Sequence, residues 1–331
     1  MIEVDLTAED LSRIRFAFSP VAETVTSLRA LSVGARNGLH APWLADVAGR
    51  LDAVDVELLT TLVRPAGYVP DFLLPTPAGR SATIGAGLEQ VAATPSEVVT
   101  AELCHLAEHP VAQRGSGRDR RSALLHGLAD RPEYALRRIT GELERYWAAA
   151  LEPHWSRIGA LLQADLAHRL EELATGGVAQ LFGTLHPAVA LRGDLLTVAK
   201  YYDGRVGLRG RGLLLVPCAF AWPDVLVGTA DPQPSLTYSP RGLGRLWETA
   251  PAAGATPLAG VLGRTRATIL ALLDLPMSTT QLAAQLDLAP PTLSAHLTAL
   301  RSAGILVSRR DGRAVLYRRT TLGDHLLAAA G

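Results

Sequence analysis

The sequence predicts a mainly α chain of the α+β kind: a helical N-terminal part with a few strands, then two short helices, a tight turn and a basic hairpin. Three observations predict it. Apolar residues recur at +3 and +4 spacing over long stretches, above all between Tyr134 and Leu173. Short apolar runs set off by Gly, Pro and Asp follow Gly176-Gly177. Charge is also segregated: residues 261–331 hold eight Arg against four Asp, +4, which leaves −4 on the remainder of a chain with zero net charge. At roughly 100–200 residues per domain, 331 residues suit two domains, placed at 1–250 and 261–331 with a linker over 251–260. With 48% hydrophobic and 19% charged residues the chain can bury a core and is not a disordered one.

Taken in order, "IEVDL" and "RIRFAFS" read as two strands around a short polar turn of helix. Pro20 opens "PVAETVTSLRAL", a helix with Val21, Val25 and Leu28 on one face. Further helices are expected near 41–63, 82–93 and 96–108, and the Gly-containing polar stretch "QRGSGRDRRS" (113–122) reads as a loop. Ile139, Leu143, Tyr146 and Ala150 form one helical stripe, Pro153 breaks it, and Trp155, Ile158, Leu162, Leu166, Leu170 and Leu173 form the next, suited to core or dimer packing. "DLLTVAKYY", "GLLLVPCAFAW" and "PSLTYS" are expected strands. "ETAPAAGATPLAG" (248–260), small-residue and Pro-rich, supplies the linker.

The C-terminal part is the most specific. Ser278 with Gln281 makes a capping-box pattern that starts a helix at Thr279, with Leu282 and Leu286 on its inner face. "LDLAP" is a turn, Pro290 and Pro291 fit the first turn of a second helix, and Leu293, Leu297 and Leu300 are its buried stripe. The opposite face carries Pro291, Thr292, Ala295, Thr298 and Ala299, flanked by Ser294 and His296. Side chains this small and uncharged suit a helix whose backbone enters a DNA major groove, where a merely solvated face would carry Glu, Lys or Arg. Two alternating strands, 305–310 and 314–319, then flank Asp311-Gly312, a hairpin turn signal, with Arg309, Arg310 and Arg313 near the tip. Helix–turn–helix followed by a basic hairpin is a winged helix. Thr292, Ser294, Ala295 and His296 are the expected base-facing residues, and Thr298, Arg301, Arg309, Arg310 and Arg313 the expected phosphate contacts.

Residues 262–322, through "RTRATILALL", "TLSAHLTALRSAGIL" and "SRRDGRAVLYR", resemble the winged helix of ArsR-type bacterial repressors. "HPAVALRGDLLTVAKYY" and "GLRGRGLLLVPCAFAWP" resemble the region preceding such modules in actinobacterial regulators. The resemblance implies a cytoplasmic homodimeric repressor on a roughly palindromic double-stranded operator, released by an effector. Metal-sensing members carry a Cys-x-Cys pair at the start of the recognition helix; "LDLAPPTLS" has no Cys, so that metal site is not carried over. Ala289 stands where a Ser N-cap is common.

No other constellation is complete. Cys104, His105 and His109 offer a helical i, i+4 His pair without further ligands, so no metal or cofactor is expected. Cys218 reads as core packing, "GLRGRG" (207–212) as a turn, and no G-x-S-x-G or Walker pattern occurs, so no enzyme is expected. The N-terminus lacks an apolar signal-peptide core, no run is long enough to span a membrane, and two cysteines imply no disulfide framework. The sequence thus reads as a cytoplasmic, sequence-specific transcriptional regulator whose first 250 residues dimerise and bind a small, largely apolar effector. The alternatives are a ligand-binding or enzymatic N-terminal domain with the winged helix as a protein-contact module, and a non-specific DNA binder.

Overall fold

A computed structural model describes residues 1–34, 38–77, 79–109, 117–229, 233–247, 257–273, 276–311 and 314–329. The chain opens with β1 (Ile2–Asp5), α1 (Ala8–Ser12) and β2 (Arg15–Phe16), the order expected. There follow α2 (Pro20–Val33), α3 (Ala41–Val47), α4 (Val56–Leu62), α5 (Ile84–Ala92), α6 (Ser96–Glu108), α7 (Arg118–Ala129) and α8 (Pro132–Tyr146). A π-helical turn, Trp147–Leu151, and a 3-10 turn around Pro153 separate α8 from the long α9 (Trp155–Leu185). Next come β3 (Val189–Arg192), β4 (Leu195–Val198), β5 (Gly204–Gly207), β6 (Leu214–Pro217), β7 (Leu226–Gly228) and β8 (Ser235–Tyr238). The C-terminal part comprises α10 (Pro257–Leu262), α11 (Arg264–Leu272), β9 (Met277–Ser278), α12 (Thr279–Leu286), α13 (Pro290–Ser302), β10 (Leu306–Asp311), β11 (Ala314–Arg319) and α14 (Thr321–Ala329). The fold is α+β: N-terminal helices with strands, then a C-terminal winged helix-turn-helix.

The first strands are not a separate hairpin. β1 lies in a sheet of order β3-β4-β1-β5, antiparallel to β4 and parallel to β5, and β2 edges a second sheet, β2-β6-β8-β7. The chain start therefore pairs with residues about two hundred positions on. The turn "GLRGRG" makes this possible. Gly212 has φ +74, donates its N–H to Asp10 Oδ1 at 3.1 Å, and lies so close to the Arg13 carbonyl that a Cβ would overlap it.

α2 has no outward face. Every residue from Pro20 to Ala30 is buried, so the one-sided stripe expected from Val21, Val25 and Leu28 understates its position. Most of its polar side-chain groups are satisfied internally, Arg29 Nε having no hydrogen-bond partner among the described residues. Thr24 and Thr26 donate to the carbonyls of Pro20 and Ala22, and Ser27 meets the Tyr146 hydroxyl at 2.9 Å. Arg29 donates to Asp224, 2.8 Å, and to the Gly67 carbonyl, 2.7 Å. The Glu23 carboxyl accepts the Ala219 and Phe220 amides at 2.7 and 3.3 Å and lies 3.2 Å from Cys218 Sγ. Cys218 is therefore more than apolar packing: it follows β6 and belongs to this polar contact.

Elsewhere the structure departs from the sequence expectation in three places and, for part of the 155–173 stripe, bears out core packing. Residues 118–122, expected as loop, form the first turn of α7, while 113–116 lie outside the described residues. Gly177 does not end a helix; its φ of +65 kinks α9, which continues to Leu185 and buries Leu181, Phe182 and Leu185 under the first sheet. Ile158, Leu162 and Leu166 of the stripe expected for core or dimer packing are fully taken up inside the chain. Of the expected linker, residues 257–260 are already helical, and 251–256 lie outside the described residues.

Burial raises the Glu23 carboxyl to about 7, with the amide and thiol hydrogen bonds opposing it. A raised folded-state pKa means that Glu23 contributes most to stability below about pH 4.5, and that this contribution is lost as pH rises through about 7, by up to about 3 kcal/mol. His40 and His186, held neutral by burial down to about 3 and 4, act in the opposite sense at acid pH. Glu23→Gln is therefore expected to be nearly neutral at about pH 5 and progressively more stabilising relative to wild type towards about pH 8. Urea unfolding of both proteins across that range checks it; parallel pH profiles would refute the assignment.

Candidate nucleic-acid interface

The helix-turn-helix is built by local signals. Ser278 Oγ accepts the Gln281 amide at 3.2 Å while Gln281 Oε1 accepts the Ser278 amide at 2.8 Å, a complete capping box. α12 ends at Asp287, φ +52, a left-handed conformation that Asp tolerates better than most residues. α13 then starts from Ala289, whose side chain caps nothing, with Pro290 and Pro291 in its first turn. Leu293, Leu297 and Leu300 are buried as the spacing required. Leu282, Leu286, Ile269 and Leu272 belong to the same core.

The structure places Thr292, Ser294, Ala295, Thr298 and Arg301 exposed on α13, and His296 half-buried at its flank. In the wing, β10 pairs antiparallel with β11, and β11 pairs with β9, closing a three-stranded sheet. Arg309 and Arg310 are both exposed. Strand alternation puts them on opposite faces: Arg309 lies opposite Leu316 and shares its face with Arg318, whereas Arg310 shares its face with Ser308. Arg301 Nη1 reaches Ser308 Oγ at 3.4 Å, which ties the end of α13 to the wing. Arg313 lies outside the described residues. Arg318, exposed beside Arg309, was not among the expected contacts; the two-residue period of the strand was the signal for it. Arg319 is committed elsewhere, to Asp324 and the Leu270 carbonyl, both 2.7 Å.

From Pro276 to Arg310 the only acidic residue is Asp287, in the turn ahead of α13. Its carboxylate pairs with Arg241 at 2.8 Å and lies 3.7 Å from Arg245, both from the N-terminal part. That turn is packed against 241–246 as well. A Cβ on Gly244 would meet the Leu286 and Thr268 methyl groups at 2.9 Å, so a larger residue here would have to displace them. Arg241 is itself positioned from behind, its amide donating to the fully buried Asp165 at 2.8 Å. Asp165 in turn accepts the Tyr238 hydroxyl at 2.6 Å and faces Arg169 at 3.3 Å. No local sequence signal could have shown this contact, because it joins residues from three distant segments.

Among the described residues there is no group of three or more His, Cys, Asp or Glu that could hold a metal, and no helix is long and apolar enough to cross a membrane. Cys104 packs against the core, while His105 and His109 stand on the other side of α6 beside Tyr68.

Residues 262–309 match a family described as a helix-turn-helix domain, from the last turn of α10 into the wing. Residues 106–241 match a family of unknown function, DUF5937. The latter match runs from the end of α6 to Arg241 and leaves out β1 and β2, which complete its sheets. No curated protein and no solved structure matches the chain. The C-terminal domain thus places the chain in the class of helix-turn-helix, DNA-binding regulators.

Proposed function

We propose that the protein is a sequence-specific transcriptional repressor of the ArsR type, acting in the cytoplasm as a homodimer on a roughly palindromic operator and leaving it when a small molecule binds the N-terminal part. The observation that supports DNA reading best is the outer face of α13. Thr292, Ser294, Ala295 and Thr298 form a slim, uncharged, exposed strip, bordered by Arg301 and the exposed wing arginines. Such a strip lets a helix backbone approach base edges while the guanidinium groups hold phosphates. The pairing of Asp287 with Arg241 offsets the carboxylate in the turn ahead of α13, while Asp311 stands at the end of the wing strand β10. In this reading Thr292, Ser294, Ala295 and His296 contact bases, and Thr298, Arg301, Arg309, Arg310 and Arg313 contact phosphates, joined by Arg318.

A dimer is proposed because one recognition helix covers only a few base pairs, so specificity needs two half-sites about 34 Å apart or a multiple of it. With Ile158, Leu162 and Leu166 of the 155–173 stripe buried internally, the exposed Leu170 of α9, Val261 of α10 and Leu322 of α14 are the candidate contacts; they are 47%, 81% and 49% exposed.

Two measurements test the proposal. Arg309→Ala is expected to weaken binding to every sequence by a similar factor and to lower the slope of log affinity against log salt by about one, whereas Ser294→Ala or His296→Ala changes the preferred sequence. An unchanged affinity and salt slope for Arg309→Ala would remove the wing from the interface. Light scattering at micromolar concentration is expected to give twice the chain mass of 35.1 kDa, and a monomer with and without DNA would contradict the dimer.

A further inference from the structure

The N-terminal part contains a cavity of about 520 Å³ that no functional role yet accounts for. One wall is apolar and comes from strands of both sheets: Ile2 of β1, Val206 of β5, Val216 of β6, Leu226 and Val227 of β7. The other is a continuous run of aromatic rings. Tyr68 meets His105 edge-on at 4.8 Å between centroids, His105 lies 6.0 Å from His109, His109 lies 6.4 Å from Tyr201, and Tyr201 lies 5.0 Å from Tyr202. Tyr201 Oη and His109 Nε2 are 3.2 Å apart. Tyr201 and Tyr202 are 69% and 46% exposed, which leaves two rings of the run open to an incoming molecule. The His105–His109 pair, too incomplete in the sequence to imply a metal, is thus part of this wall.

The charges on the cavity are uneven. Lys200 is paired with Asp224, which also takes Arg29, and Arg205 is paired with Asp5. Asp71, which lines the cavity, makes no ion pair among the described residues, and the charged neighbour it feels is another carboxylate, Glu102. Glu102 is occupied in holding the 71–73 turn by accepting the Phe72 amide at 3.1 Å. A half-buried carboxylate without a cation, beside a wall of electron-rich rings and facing an apolar wall, is complementary to a positive charge on an apolar body. We infer that this cavity binds an organic cation, an amine or quaternary ammonium with an aromatic or aliphatic body, its charge set against Asp71 and the Tyr68–Tyr202 ring wall.

Burial and the neighbouring Glu102 hold the Asp71 carboxyl at about 6, and burial together with His105 holds His109 below the usual histidine range. Asp71 is faced by Tyr68 from its own loop, Glu102 from α6 and Tyr202 from the β4–β5 connection, and His105 of α6 acts on Glu102. As pH falls through about 6, Asp71 loses its charge, which disfavours a bound cation.

The site approaches the winged helix through a neighbouring cavity. Gly67, Lys200, Tyr201 and Asp224 also wall a second cavity of about 600 Å³, whose far side includes Ala271 of α11 and Leu327 of α14. That it serves as the effector site rests on the regulatory reading proposed above; that it binds organic cations does not.

The full-length protein titrated calorimetrically at about pH 8 with the permanent cation 4-phenylbutyltrimethylammonium, against 4-phenylbutyrate and 4-phenyl-1-butanol, tests the site. A ligand of this size should bind in the millimolar range or better. The cation is expected to bind about tenfold more tightly than either comparator, to weaken below about pH 6, and to lose about tenfold in Asp71→Asn, a near-isosteric change. Tyr201→Leu is expected to weaken it less. No binding, equal binding of the anion or alcohol by the wild type, or unchanged cation binding by Asp71→Asn overturns the proposal. Operator affinity measured with the same probe separates the two claims: cation binding that leaves DNA affinity unchanged upholds the site and removes its effector role.

Discussion

Burial of α2 on every side is the constraint around which the chain is arranged. An eleven-residue helical segment that includes Glu23, Thr24, Thr26, Ser27 and Arg29 can be enclosed only if nearly all its polar groups find partners inside, because each unsatisfied buried group costs on the order of 1–3 kcal/mol. The partners come from elements far apart in sequence. Ala219 and Phe220 follow β6, Tyr146 ends α8, Asp224 precedes β7, and Gly67 lies in the loop after α4. Satisfying α2 therefore brings helices and sheets together around one axis. It also forms the wall, through Arg29, Asp224 and Lys200, at which the two cavities meet.

The winged helix is not tethered by a linker alone. The 241–246 turn packs against α11 and α12 through the space left by Gly244, and Arg241 joins the turn ahead of α13 to the buried Asp165–Tyr238 contact. On another side, a Cβ on Gly38 would come within 3.6 Å of Ala271 and Leu327. The Arg241–Asp287 pair is partly exposed and contributes at most about 1 kcal/mol, so it fixes orientation more than stability. A molecule bound in the N-terminal part can alter DNA affinity only if it favours one placement of α13 over another. The residues shared by the two cavities offer a physical route for such a preference.

The winged helix was legible in the sequence because its determinants are local. Ser278 and Gln281 are three residues apart, Leu293, Leu297 and Leu300 lie on one helix, and Asp311-Gly312 marks its own hairpin. The N-terminal part was legible only as elements. The strands at 2–5 and 15–16 were foreseen, but not that they pair with β4, β5 and β6, since register over two hundred residues leaves no local trace. Polar "GRDRRS" reads as loop although tertiary packing of Leu125 and Leu128 completes a helix over it. The cavity was not legible either, since Tyr68, Asp71, His109, Tyr202 and Leu226 are contributed by separate segments and only folding brings them together.

That α13 and the wing face DNA is tested most directly by hydrogen exchange on the full chain, with and without the DNA upstream of its own coding sequence. The account predicts new protection in 290–302 and in the strands 306–311 and 314–319, with little change along α9. Protection confined to residues before 241, with none in 290–302, would contradict it.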